Sequence, residues 1–198
     1  MSPSKLSSRQ RRNRLGGTVL SCGHRFAAAT SGMAATEFAI IAPVMLVLWF
    51  GATEIANAYD ASTKVTTVAS TAADLIAQEK VVCDAEMTDA FAALTALMYP
   101  FSSTGMKVTI SSLIDNGNGT VKVDWSDALN ATARPDDQVV TIPEGLVSED
   151  GSVIMAEVEF TYHSPAPHFF PAPRGMTDTY YLHPRKTDQI GRETTCTT

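Results

Sequence analysis

The sequence predicts an α+β fold in which one long N-terminal helix precedes a small antiparallel-sheet domain. Three observations carry this. Phe38–Thr53 is a run of sixteen residues without a charge. No glycine or proline interrupts the next stretch, Ala52–Ala85, where apolar residues recur at steps of three and four. Beyond Pro100 the apolar period changes to two. Periods of 3.6 and 2 are the signatures of helix and strand.

The chain has 198 residues and a formal net charge of −6. That charge is divided unevenly. Residues 1–32 hold Lys5, Arg9, Arg11, Arg12, Arg14 and Arg25 and no acid, which leaves −12 for the remainder. Basic residues ahead of an apolar span stay on the cytoplasmic side. The acidic remainder then lies outside the cytoplasm, where phosphate repulsion makes it a poor nucleic-acid binder. Sixteen helical residues reach about 24 Å, and adding Met33–Thr36 and Glu54–Ile55 gives about 35 Å, enough for a bilayer core of about 30 Å. Pro43 is tolerable in such a helix, and Trp49 lies near its outer end, where indoles favour the interface. The expected organisation is a basic cytoplasmic leader (1–32), a single transmembrane helix (33–55) and an exported α+β domain (56–198) that begins with an amphipathic continuation of the helix (56–78).

In that continuation Ile55, Ala58, Ser62, Val65, Ala69, Ala72 and Ile76 form one apolar stripe, with Lys64, Thr67, Asp74 and Gln78 between them. The spacing predicts a helix over about Ala34–Gln78. A second helix is expected over Asp84–Met98, ended by Pro100. Met106, Val108, Ile110, Ser112 and Ile114 then alternate with polar residues; Asn116-Gly117 and Asn118-Gly119 form a turn signal; Val121, Val123 and Trp125 alternate again. That pattern is a hairpin. Ser152–Tyr162 reads as the clearest strand, with Ile154, Ala156, Val158, Phe160 and Tyr162 on one face. A proline-rich loop, His163–Gly175, leads to a short last strand over Thr177–Leu182. The expected sheet is a meander packed on the helix stripe.

Glu37 stands at the inner edge of the apolar run, five residues after Gly32. A carboxylate within a membrane segment costs roughly 2.5–3.5 kcal/mol even on lenient insertion scales, so it calls for a partner. A basic leader, a glycine, a glutamate five residues on and an apolar helix together resemble type IV prepilins and pseudopilins. More narrowly, Gly32-Met33-Ala34-Ala35-Thr36-Glu37-Phe38-Ala39, with Pro43, Gly51 and Glu54, is similar to the TadE-like minor pseudopilins of tight-adherence (Flp-type) pili. Phe160-Thr161-Tyr162 with the prolines that follow, and Tyr180-Tyr181-Leu182-His183-Pro184-Arg185, also fit that family. The resemblance implies a pilin-like fold and a cut by a prepilin peptidase between Gly32 and Met33. It implies that Glu37, beside Phe38, pairs with the new amino terminus of a neighbouring subunit. It also implies a place in the inner membrane, other pilin-like subunits and the pilus assembly machinery as partners, no enzymatic activity and no cofactor. An ammonium partner removes much of the penalty on a carboxylate in low dielectric.

Other export signals compete. Val19-Leu20-Ser21-Cys22 lacks the apolar core of a lipoprotein signal, and no apolar run closely follows Arg11-Arg12 as a twin-arginine signal requires. Ala56-Asn57-Ala58 is an A-x-A site just after an apolar stretch, and a cut there would release a protein starting at Tyr59. An uncleaved anchor carrying an extracytoplasmic binding domain is the remaining alternative. Outside the leader, Cys83 and Cys196 fit either a disulfide or two free thiols. Phe169-Phe170, between prolines, fit either a partner contact or a ring that plugs the core. No nucleotide-binding or nucleophile motif appears, and His163 and His168 read as solvated loop histidines rather than metal ligands.

Overall fold

The computed structural model describes residues 31–115, 120–143, 145–147, 151–165 and 172–196. It divides into two compact units, Met1–Ala52 and Thr53–Thr198. Helix α1 spans Ser31–Ala77 and contains Pro43. It is long and apolar enough to cross a membrane. Then follow β1 (Val81–Cys83), α2 (Asp84–Leu97), β2 (Lys107–Asp115), β3 (Val121–Leu129), β4 (Ser152–Tyr162), β5 (Arg174–Leu182) and β6 (Gly191–Glu193). The hairpin turn at Asn116–Gly119 lies outside the described residues.

Within the second unit the buried side of α1 carries Glu54, Ala58, Ala61, Val65, Val68, Ala72 and Ile76. The expected stripe included Ile55 and Ser62, but Ile55 is 70% exposed and Ser62 is also exposed. The phase of the 3.6-residue repeat decides this. Stepping back from Ala58 by four and forward by three reaches Glu54 and Ala61, and a helix cannot turn a favoured side chain inward out of phase. Alanines dominate the buried side of the helix. Leu94, Met98, Val108, Ile110, Ile154, Val158 and Ile190 complete this core.

The main sheet has the order β3-β2-β4-β5, all neighbours antiparallel. It is not the expected meander. β3 folds back beside β2, and β4 takes the other side of β2, so the chain between β3 and β4 has to cross. It crosses over the outer face. Val140, Ile142 and Val147 pack there on a second cluster of Leu113, Val123, Val153 and Met155. A bulge explains why that cluster exists. Ser112 pairs with Trp125 but Leu113 pairs with Val123, which leaves Asp124 as an extra residue in β3. An extra residue reverses the alternation. Trp125 therefore belongs to the helix-side core and Val123 to the outer one, although the sequence places them in one alternating row.

β5 begins at Arg174, three residues earlier than the sequence pattern suggests, because β4 pairs with it through Tyr162↔Arg174. At one end Tyr162 lies beside Glu54 of α1. At the other, just past Leu182, the Arg185 N–H donates to the Ala77 carbonyl. β5 thus runs along α1 in the same direction. About 30 Å of strand matches about 30 Å of helix. The short parallel pair β1–β6 was not foreseen. Three residues are too few to show a period.

Candidate functional site

The first turns of α1 present Gly32, Met33, Glu37 and Phe38. Met33 is 66% and Phe38 71% exposed, and Gly32 and Glu37 are also exposed. The Thr36 hydroxyl donates back to the Met33 carbonyl at 2.8 Å. Glu37 has no hydrogen-bond or ion-pair partner among the described residues. A Cβ built on Gly32 meets no atom within 4 Å, so packing does not demand a glycine there.

The second carboxylate of the apolar stretch is handled differently. Glu54 is only 7% exposed. Tyr162, at the end of β4, is 3% exposed, and Phe101 packs edge-on against its ring at 6.0 Å. Its hydroxyl has no hydrogen-bond partner of ordinary geometry among the described residues. It is nevertheless near enough to feel the Glu54 carboxylate. Burial first, and then that carboxylate, push the Tyr162 phenol above its usual pKa, while Arg174 pulls the other way. Local spacing held no sign that Glu54 would be interior.

At the β1–β6 side the chain is clasped. Cys83 and Cys196 are joined as a disulfide, with Cα atoms 5.1 Å apart. The Cys83 N–H donates to the Glu86 carboxylate at 3.0 Å, closing the first turn of α2. Arg192 donates through Nε to Asp127 at 2.7 Å and through Nη2 to Asp84 at 2.6 Å. The buried Trp125 indole donates to the Ile190 carbonyl at 2.7 Å. Among the described residues, Cys83, Glu86 and Cys196 are the one group of metal-ligating side chains brought together, and both sulfurs are used in the bond. On the outer face of the sheet a polar hollow runs past Lys107, Asn130, Thr132 and Glu159. Arg134 closes part of it through a two-pronged pair with Glu157 at 2.7 Å. Phe169 and Phe170 lie outside the described residues.

A long apolar helix followed by a small antiparallel-sheet domain defines an α+β protein, and among the described residues that helix is long and apolar enough to cross a membrane. Residues 32–74 match the family model of TadE-like proteins. That segment of the chain is similar to TadE-like proteins. The match starts at Gly32 and ends inside α1, so the sheet domain beyond it is not covered. No curated protein matches the chain, and no solved structure does.

Proposed function

We propose that this protein is a minor pseudopilin that a prepilin peptidase cuts between Gly32 and Met33, and that it acts in assembling tight-adherence pili for surface attachment. The mature chain sits in the inner membrane by one helix, with its leader side cytoplasmic and its sheet domain outside. It performs no reaction of its own. Glu37 receives the new amino terminus of a neighbouring subunit, and Ala34, Ala35, Ala39 and Ala42 allow that helix to approach closely.

The observation that carries this reading is the contrast between two carboxylates on one TadE-like helix. Glu54 is taken into its own domain, whereas Glu37 is exposed and has no partner among the described residues, as a group used between subunits would be. The rival cut after Ala58 is disfavoured, since Ala58 is packed in the core and the cut would remove Glu54 from it. Amino-terminal sequencing of the mature protein tests the proposal. A start at Met33 supports it, a start at Tyr59 replaces it with a secreted protein, and an intact leader replaces it with a plain anchor. Gly32→Ala adds a methyl into open space, so a block in maturation reports on the peptidase and not on folding. Glu37→Gln should mature normally yet reduce piliation; unchanged piliation would remove the pairing role.

A further inference from the structure

The end of the sheet domain beside Glu54 has a consequence for how the protein meets lipid, which rests on the anchored reading above. The uncharged run ends at Thr53, and the next residue, Glu54, is already buried in the domain. No linker separates them. Each residue of flexible linker would let a domain rise by up to about 3.3 Å, so a domain without one stays at the surface where its helix emerges, whatever the angle of the helix.

The side chains at this end suit such a position. Tyr162 lies beside Glu54, and Phe101 packs on Tyr162. Tyr99, two residues before Phe101, is 80% exposed. Arg174, the register partner of Tyr162, is exposed and has no ion-pair partner among the described residues. A hollow of about 340 Å³ opens here, lined by Phe101, Tyr162, His163 and the Ser102 and Thr104 side chains, without a carboxylate. Exposed tyrosines and cations beside a membrane span favour the headgroup layer, where a ring has one wet and one apolar side, and arginine attracts anionic headgroups.

We propose that this end of the domain, with Tyr99 and Arg174 as its contacts, rests on the lipid headgroups of the membrane that holds the helix. The test uses the full-length chain with Cys22→Ser, oxidised, in nanodiscs of phosphatidylcholine and phosphatidylglycerol. Nitroxides are placed by Thr104→Cys at this end, by Lys80→Cys at the exposed start of β1, and by Met45→Cys inside the apolar run. Collision with a water-soluble nickel chelate is then read by power saturation. Position 104 should be several-fold less accessible to nickel than position 80, and Tyr99→Ser with Arg174→Gln should raise it toward the value at 80. If 104 matches 80 while 45 lies at bilayer depth, lipid docking is overturned and the anchor stands. If 45 is itself open to nickel, the anchor fails and docking falls with it. If protection at 104 appears only with two chains per nanodisc, a second copy covers the face, and docking on lipid is overturned.

Discussion

Arg192→Met should destabilise the sheet domain by about 2–3 kcal/mol. Arg192 is 19% exposed and meets Asp127, itself 28% exposed, through Nε at 2.7 Å and Nη2 at 3.3 Å. Hydrogen bonds between charged groups of this burial contribute about 1.5–3 kcal/mol. The pair with Asp84 adds little, because Asp84 is 56% exposed and exposed pairs are worth roughly 0–1 kcal/mol. Methionine keeps most of the side-chain bulk, so the loss is mainly electrostatic. Trp125 supplies the assay, since its indole is bonded to Ile190, two residues before Arg192. With Trp49→Phe removing the other tryptophan, urea unfolding in micelles can be followed by Trp125 fluorescence. With a urea slope of about 1–3 kcal/mol/M, the midpoint should fall by roughly 1–2 M at unchanged slope. Lys107→Met is the reference, because Lys107 and Glu159 are 53% and 60% exposed. A midpoint shift for Arg192→Met no larger than that reference would refute the clasp as a stabilising element. In a double-mutant cycle with Asp127→Asn the two losses should be strongly less than additive.

Three further outcomes are expected. Reducing Cys83–Cys196, which closes a loop of 113 residues, should lower stability by about 4–5 kcal/mol in the chain-entropy account; Cys196→Ser should match the reduced protein, and equal stability with and without reductant would contradict the bond. Leu94→Ala removes a side chain with no exposed surface and should cost about 2–5 kcal/mol, seen as a lower Tm, whereas a shift of a degree or less would mean that α2 is not packed on the sheet. The raised pKa of Tyr162 sets an alkaline dependence. Below about pH 10 folded and unfolded chains both keep the proton; above it the unfolded chain releases it first, so stability falls as pH rises through the folded value. Tyr162→Phe should flatten that fall, though not abolish it, because Tyr181 is raised by burial in the same direction.

Much of this architecture could be read from period alone. The helix through the apolar run, α2 ending before Pro100 and the strand Ser152–Tyr162 all follow from local spacing, and the TadE-like signal lies in one contiguous segment. What escaped the sequence depended on partners far along the chain. The bulge at Asp124 moved Val123 and Trp125 to opposite faces, which no alternation within β3 could reveal. Glu54 looked like a charge bounding a membrane run, yet it is buried, and its neighbour Tyr162 lies more than a hundred positions away. Gly32 and Glu37 could be singled out because their spacing from each other and from the apolar run is local. Arg192 was not, because its acids come from α2 and β3.

The parallel pair β1–β6 joins Val81 to Gly191, so two of the earliest and latest segments of the domain must meet before either is complete. During synthesis β1 emerges about 110 residues ahead of its partner, and the Trp125 indole waits for the Ile190 carbonyl. Contacts this distant in sequence form late. A chain stopped before Gly191 lacks the strand partner of Val81–Cys83 and the arginine that meets Asp127. The clasp thereby makes the closure of the domain depend on residues as late in the chain as Arg192 and Cys196.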